Sequence, residues 1–365
     1  MKHRVAGISE RNAMRLPRRN FLYLTAGAAA LPTISRVARA QAYPTRPVRW
    51  IVGFAPGGSS DIHARLIAQW LSERLGQQFI IENRPGGGTN IALRAAVNSQ
   101  PDGYTLVSIT SSNASNATLY ESLPFDLQRD LIPIAALSRG ALVLEVNPLV
   151  PIKTLAEFIS YSKANAGKIN VASFGVGTTS HLAGELFKAM AGMTLVHVPY
   201  RGDALALTDT ISGQVQATFS TVAASLEYVR TGKLRALGVT TATRWETLPE
   251  VPTIGEIVPG YEASTWNGVA VPRGTPQDII EILNREINTG LSDPKVRARI
   301  TGLGNVPMPL SPADFGKLLI DDTEKWAKGL SINKSIIFSS GDECGPFGRG
   351  RSCSSSHRGT SGGRY

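Results

Sequence analysis

Short apolar runs alternate with amphipathic segments along most of the 365-residue chain. Runs such as residues 48–54 and 235–239 are short and apolar, which predicts strands. Between them, segments such as 62–75 and 277–291 repeat apolar residues at the spacing of an amphipathic helix. The alternation covers residues 43–330 and predicts an α/β fold with largely parallel sheets, in a body long enough for two lobes.

Two stretches of this body, 52–61 and 171–180, share one design. Each is an apolar strand followed by a glycine turn, hydroxyl residues suited to cap a helix, and an amphipathic helix that a glycine closes (Gly76 and Gly192). Glycines let a backbone approach a ligand closely, and the free N–H groups at a helix start attract anions. The pair of loops predicts a two-lobed protein that holds an anionic small molecule between its lobes.

The N-terminal 42 residues have the pattern of an export signal. The residues Arg18-Arg19-Asn20-Phe21-Leu22 precede an apolar run, and two A-x-A cleavage patterns end at Ala40 and Ala42. The arginine pair resembles a twin-arginine signal, and an ordinary secretory signal is the alternative. We therefore expect a periplasmic protein.

The net charge of +10 comes from the two ends of the chain, because residues 43–330 contain equal numbers of basic and acidic residues. A nucleic-acid partner, which would need a basic face on the body, is therefore not expected. The tail 331–365 is rich in Gly, Ser and Arg and is predicted to be disordered. It holds both cysteines, Cys344 and Cys353, so the body can form no disulfide or thiolate metal site.

Catalytic and cofactor motifs are incomplete in this sequence. Neither glycine loop completes a dinucleotide-binding pattern, no P-loop occurs, and the three histidines of the body lack metal-ligand spacing. Only Asp61, His63 and His181 could serve as a base near the loops. We expect no cofactor, no metal and no enzymatic activity.

The sequence of the glycine loops and of several later segments resembles the tripartite tricarboxylate transporter substrate-binding proteins, the Bug-type family. The resemblance covers about residues 43–328. The matching motifs, in chain order, are PVRWIVGFAPGGSSD at 47–61, ENRPG at 82–86, PDGYTL at 101–106, GVGTTSHLAGE at 175–185, HVPYRG at 197–202, GKLRALGVT at 232–240 and VPTIGE at 251–256.

The resemblance implies a periplasmic binding protein of the Venus-flytrap, type II-like architecture, with a small carboxylate in the cleft between its lobes. In this family two loops hold a carboxylate like pincers, with backbone N–H groups and hydroxyls that contact the anion. Carried over to this sequence, the implied ligand-binding residues are Phe54, Ala55, Pro56, Gly57, Gly58 and Asp61 in the first loop, Gly175, Gly177, Thr178, Thr179 and Ser180 in the second, the loop positions Ser111, Ser112 and Asn113, and Tyr200, Arg201 and Ser220.

At two of these positions the sequence does not determine the chemical identity of the ligand. Arg201 suits a second carboxylate through its planar fork, and a surface salt bridge is the alternative. Ser220 and Thr221 stand where many family members have an acidic residue and Asn. If these positions reach the cleft, the preference of this protein would lie away from amino acids.

The predicted organisation is an export signal at 1–42, one lobe formed by 43–143 and 266–330, a second lobe at 144–265, and the tail. A hinge is expected near 141–146 and 261–268, where the chain crosses between the lobes. The predicted function is a monomeric solute-binding protein that passes its ligand to membrane transporter subunits. An enzyme acting on an anionic metabolite and a binding protein that feeds a signalling receptor are the alternatives.

Overall fold

The computed structural model describes residues 43–120 and 122–337. The predicted export signal and the part of the tail that contains both cysteines lie outside these residues. Ten strands form the sheet: β1 Val48–Val52, β2 Phe79–Asn83, β3 Thr105–Thr110, β4 Leu131–Val146, β5 Asn170–Ser173, β6 Val196–Pro199, β7 Ala217–Thr221, β8 Arg235–Val239, β9 Ser264–Pro272 and β10 Val306–Pro307.

Helices connect and cover these strands. Their bounds are α1 Ser59–Leu75, α2 Asn90–Val97, α3 Ser111–Leu119, α4 Leu127–Asp130, α5 Leu155–Ala164, α6 Thr179–Ala191, α7 Asp203–Ile211, α8 Val222–Arg230, α9 Gln277–Ser292, α10 Pro294–Gly302 and α11 Pro312–Ile337. Two single 3₁₀ turns, Gly87–Thr89 and Ile254–Glu256, lie between them. Among the described residues, no helix is both long enough and apolar enough to cross a membrane.

The sheet runs in the order β2-β1-β3-β9-β4-β7-β5-β6, with β8 and β10 also paired to β4. The long strand β4 pairs with β9 from Leu131 to Ala141, and with β7 from Leu142 to Val146. We call the half with β1, β2, β3, β9, β10 and the start of β4 lobe 1. The half with β5, β6, β7, β8 and the end of β4 is lobe 2.

The expectation of largely parallel sheets holds only for the outer strands. β1 is parallel to β2 and β3, and β5 is parallel to β6 and β7. The centre is antiparallel, because β4 and β9 both cross the molecule and run in opposite directions. The apolar runs at 132–137 and 141–146 are separated in the sequence by Ser138-Arg139-Gly140, yet both belong to the one continuous strand β4.

Each lobe has its own apolar core. In lobe 1, Trp50, Leu71 and Leu283 bring β1, α1 and α9 together, all fully buried. In lobe 2, the aromatic rings of Phe187 and Phe219 pack edge to face with centroids 6.0 Å apart. Each such side chain contributes about 1.5–3 kcal/mol when buried. The cores stabilise the strand ends from which the cleft is built.

Helix ends follow the predicted glycine signals. Gly76 and Gly192 adopt left-handed conformations, with φ of 72° and 62°, and close α1 and α6 as expected. At the start of α6, Thr178 is the capping residue and accepts the N–H of His181. The start of α1 differs from the prediction, because Gly58 occupies the cap and offers no side-chain bond.

The last helix, α11, extends beyond the predicted body. It reaches Ile337 and so continues past residue 331, where the sequence predicted the disordered tail to begin. Trp266 on β9 donates a hydrogen bond from Nε1 to Asp322 on this helix at 2.9 Å. Phe315, also on α11, is fully buried beside the same tryptophan. The helix is therefore an integral part of the lobe 1 core.

Candidate functional site

A partly open cleft lies between the two lobes at the carboxyl ends of the strands, with a volume of about 350 Å³ that includes the solvent at its mouth. Its walls combine hydroxyls, one amide, one carboxylate and two aromatic rings. The lining residues are Phe54, Ser59, Ser60, Thr110, Ser112, Phe174, Thr179, Asp203, Thr221, Thr265 and Asn267. Ligands of α/β proteins bind at this edge of a sheet.

Five helices begin at this cleft. The lining includes the first residues of α1, α6 and α7, the second residue of α3 and the residue directly before α8, namely Ser59, Thr179, Asp203, Ser112 and Thr221. Each helix start carries a partial positive charge of about half a unit and N–H groups that lack partners within the helix. The convergence of these helix starts favours an anion in the cavity.

The first glycine loop is held in shape by Asp61. The carboxylate accepts the N–H of Gly57 at 2.9 Å, the Nε of Arg65 at 2.9 Å and the Nδ2 of Asn83 at 2.9 Å. Burial alone would raise the pKa of Asp61, but these hydrogen bonds and the charge of Arg65 lower it below its ordinary value. Asp61 is thus an ionised residue that positions the loop. Of the residues predicted to bind ligand in this loop, only Phe54 lines the cavity.

The second glycine loop is fixed by similar local bonds. Thr178 donates from Oγ1 to the carbonyl of Gly175 at 2.7 Å, and Gly177 donates its N–H to Nδ1 of His181 at 3.2 Å. Ser180 turns away from the cleft and donates to the carbonyl of Phe219 at 2.6 Å. Thr179 is the predicted residue of this loop that lines the cavity.

Hydroxyl groups join the two lobes beside the cavity. The Oγ of Ser112 accepts the N–H of Thr179 at 3.0 Å, and the Oγ of Ser111 lies 2.8 Å from Oγ1 of Thr179. Ser115 donates to the carbonyl of Gly177 at 3.2 Å. In the first glycine loop, Ala55 donates its N–H to the carbonyl of Arg201 at 3.0 Å. Both pincer loops therefore contact the opposite lobe.

The residues expected in a loop after β3 belong to a helix. Ser111, Ser112 and Asn113 form the first turn of α3, which the sequence did not predict. Thr110 caps this helix, and Asn113 accepts the N–H of Thr110 at 2.7 Å in a capping box. Asn113 therefore closes the helix start, while Ser112 lines the cavity.

Three further predicted residues do not line the cavity. Tyr200 donates its hydroxyl to Asp209 at 2.7 Å, and burial together with this aspartate raises the pKa of Tyr200 to about 12. The side chain of Arg201 is exposed. Ser220 donates to Oε2 of the fully buried Glu145 at 2.6 Å, inside lobe 2.

Sequence reasoning missed eight of the lining residues. They are Ser59, Ser60, Thr110, Phe174, Asp203, Thr221, Thr265 and Asn267. Two of them carried a readable signal: Thr265 and Asn267 are polar, lie two apart on β9 and so share one face of the strand that crosses between the lobes. Thr221 lines the cavity while Ser220 bonds to Glu145 inside lobe 2, because neighbouring strand residues point to opposite faces of β7.

The candidate bases lie away from the cavity lining. His63 is buried, with Nδ1 2.7 Å from the carbonyl of Ser59, and burial lowers its pKa. Burial also holds the pKa of His181 well below its ordinary value, with the nearby His197 and Lys188 adding to the effect. The His181 and His197 rings stack 4.2 Å apart in lobe 2. No group of three or more His, Cys, Asp or Glu among the described residues could hold a metal ion.

The two-lobed α/β fold, with a polar cleft at the meeting point of several helix starts, defines a periplasmic solute-binding protein. The family model described as "Tripartite tricarboxylate transporter family receptor" matches residues 63–334. The chain therefore belongs to the tripartite tricarboxylate transporter receptor family, as its motifs predicted.

Relatives with names or solved structures agree with this family. Protein BugT of Bordetella pertussis is 36% identical over 292 residues, which cover 79% of this chain and 89% of that protein. The structure of Rhodopseudomonas palustris Rpa4515 with adipate is 36% identical, has a TM-score of 0.77 and covers 80% of this chain and 98% of its own. MatC from the same organism, with bound malate, is 30% identical, has a TM-score of 0.76 and covers 81% of this chain and all of its own.

Proposed function

We propose that this protein captures a small carboxylate in the interlobe cleft and delivers it to the membrane subunits of a tripartite transporter. The starts of α3, α6 and α8, which meet at one cavity, carry this proposal, since the start of α1 already donates to the carboxylate of Asp203. Adipate and malate in the related structures support a carboxylate ligand. The hydroxyls of Ser112, Thr179 and Thr221 would complete the contacts, directly or through water.

The predicted pincer residues divide into two roles under this proposal. Phe54, Ser112 and Thr179 would contact the ligand, since they line the cavity. Asp61, Asn113 and Thr178 would shape the loops that present them, because their polar atoms are engaged in local hydrogen bonds. The remaining pincer positions would act through the backbone.

Closure of the lobes is proposed to trap the ligand, with lobe limits at 43–143 plus 266–330 and at 144–265. Strand β4 changes partner between Ala141 and Leu142, and β9 begins at Ser264, so both crossings fall near these limits. A hinge of a few residues at such crossings is sufficient for domain closure. Small-angle X-ray scattering should show a smaller radius of gyration when ligand is added.

We propose further that the protein is monomeric, has no catalytic activity and is exported by the twin-arginine route. Asp61, His63 and His181 lie outside the cavity lining, which weakens the enzyme alternative. Product analysis by NMR after incubation with carboxylates should show no turnover, and sedimentation should give the mass of one chain. Replacement of Arg18 and Arg19 by Lys should block export if the route is correct.

Calorimetry on ligand-stripped protein tests the central proposal. The probes are mono-, di- and tricarboxylates, with and without amino groups, including adipate and malate. One-to-one binding is expected, and Thr179→Ala should weaken it about 5- to 30-fold through loss of one hydrogen bond. Thr208→Ala, on the exposed face of α7, is the matched control. Absence of binding to every probe by folded protein would contradict the proposal.

A further inference from the structure

Asp203 is the only ionisable side chain in the described lining of the cleft. The other lining residues are serines, threonines, phenylalanines and one asparagine. Asp203 is 4% exposed, and among these residues neither a lysine nor an arginine offsets its charge. A site proposed to bind an anion therefore contains a carboxylate of its own.

This carboxylate occupies the anion position at the start of α1. Its Oδ2 accepts the N–H of Ser59 from lobe 1 at 3.1 Å and the hydroxyl of Thr221 from lobe 2 at 2.8 Å. Gly58, the capping residue of α1, contributes no side-chain bond. A Cβ at Gly58 would collide with Oδ1 of Asp203, so the absence of a side chain there admits the aspartate. Asp203 thus caps a helix of the opposite lobe.

The second glycine loop, at the start of α6, remains suited to a ligand carboxylate. The first glycine loop, at the start of α1, does not. A second ligand carboxylate at the start of α1 would face the oxygens of Asp203 at short range, where like charges in a partly dry cleft repel strongly. Burial raises the pKa of Asp203, and the hydrogen bonds from Ser59 and Thr221 together with the N–H groups of Asp203 itself and Ala204 oppose this shift. Ser59 and Thr221 both donate to Oδ2, so a donor from the ligand would have to reach Oδ1. An ammonium group would satisfy both the hydrogen bond and the charge.

We propose that Asp203 selects ligands that have a carboxylate at one end and an ammonium group at the other. The rings of Phe54 and Phe174, in edge-to-face contact with centroids 6.5 Å apart, line the same cavity and provide an apolar wall for the carbon chain between the two ends. This inference rests on the proposed function, since it specifies which carboxylates the cleft accepts.

The proposal differs from the sequence-based expectation of a preference away from amino acids, which was conditional on Ser220 and Thr221 reaching the cleft. That expectation relied on Ser220 and Thr221, the last two residues of β7, which stand where many family members have an acidic residue and Asn. Thr221 instead hydrogen-bonds to Asp203, which enters the cleft from the first turn of α7. The acidic group comes from a different element of lobe 2.

Calorimetry with matched ligand pairs tests this selection. The pairs are 6-aminohexanoate against adipate and 4-aminobutanoate against succinate, in each of which an ammonium group replaces the carboxylate at one end of the chain. The wild-type protein should bind the amino member of a pair at least about 10-fold more tightly. In Asp203→Asn the preference should disappear or reverse, because the amide carries no charge.

Asp293→Asn is the matched control, since Asp293 also accepts N–H groups at a helix start, that of α10, and is not among the residues that line the cleft. It should keep the wild-type preference. Asp203→Ser provides a second variant if Asp203→Asn does not fold, and the wild-type ratio is decisive without any variant. Equal or tighter binding of the diacids would overturn the role of Asp203 while leaving carboxylate capture intact. No binding of any probe would reject both proposals.

Discussion

The Oγ of Ser112 accepts the backbone N–H of Thr179 at 3.0 Å, and this bond joins helix α3 of lobe 1 to helix α6 of lobe 2. Both residues are less than 5% exposed. A buried N–H that loses its acceptor is left without a partner, which costs more than an average hydrogen bond contributes. The contact should therefore help to hold the lobes together around a ligand.

Ser112→Ala should shift the protein toward an open arrangement. The expected cost is about 1–2 kcal/mol, which is a 5- to 30-fold loss of ligand affinity in calorimetry. Ser162→Ala is the matched control, because Ser162 is fully buried in α5 and its hydroxyl has no hydrogen-bond partner. Equal affinities for the two variants would show that the bond between Ser112 and Thr179 does not contribute to closure.

Gly177→Ala should impair both stability and binding. Gly177 has a φ of +81°, and an added Cβ would collide with Oδ1 of Asn116 on α3. Backbone strain at this φ costs about 1 kcal/mol or more, and the collision would push the second pincer loop away from lobe 1. Thermal unfolding and calorimetry measure the two effects.

Gly192→Ala is the control for Gly177→Ala, because it introduces the same backbone strain without a collision. Gly192 has a φ of +62° at the end of α6, and an added Cβ there would meet no atom within 4 Å. The variant should lose stability to a similar extent but bind ligand normally. If both glycine variants bound ligand as tightly as the wild type, close approach at Gly177 would not be needed for the site.

Asp61→Asn should destabilise the folded protein at neutral pH by about 1–2 kcal/mol, because it weakens the hydrogen bonds from Gly57 and Asn83 and removes an ion pair with the half-exposed Arg65. The pKa of Asp61 is lowered from its ordinary value of 3.8 on folding. The ionised carboxylate therefore stabilises the fold fully above that value, and this stabilisation is lost as the pH falls below it.

Urea unfolding between pH 7 and pH 3 measures the dependence on Asp61. The difference between wild type and Asp61→Asn should be constant above about pH 5 and should shrink as the pH falls through the acid range. Asp278→Asn is the control, since Asp278 is also in the first turn of a helix but is exposed. A difference that stayed constant down to pH 3 would contradict the assigned pKa shift.

Glu145→Gln should stabilise the protein at pH 8. Burial raises the pKa of Glu145 to about 7, although hydrogen bonds from Ser220 and Ser225 oppose the shift. Because the folded state holds its proton more tightly than the unfolded state, stability falls as the pH rises from about 4.5 to about 7 and is then level. Removal of the charge should recover up to about 3 kcal/mol, at about 1.4 kcal/mol for each pKa unit.

Unfolding in urea at pH 5 and pH 8 tests this effect. Glu145→Gln should exceed the wild type in stability at pH 8, and the two should be close at pH 5. Glu281→Gln, on the exposed surface of α9, should change neither value. If the difference in unfolding free energy between Glu145→Gln and the wild type were the same at pH 5 and pH 8, ionisation of Glu145 would not destabilise the folded protein.

Local patterns in the sequence predicted most helices well, and the exceptions have physical causes. Helix α9 was expected over 277–291 and spans Gln277–Ser292, because its apolar face repeats at helical spacing. Helix α3 was not predicted, since its sequence Ser-Ser-Asn-Ala-Ser-Asn-Ala-Thr-Leu has little apolar periodicity and many residues that favour turns. The capping box at Thr110 and packing against α11 stabilise it instead.

The sequence alone determined the family, the α/β class and the two glycine loops, because these depend on residue types at fixed short spacings. Only the tertiary structure decided which side chains line the cleft. Asp203 reaches the first helix start from the opposite lobe, at a separation of 144 residues from Ser59. Ser220 turns into lobe 2 while Thr221 faces the cleft. Such choices follow from strand faces and lobe contacts between distant segments, which a local pattern does not contain.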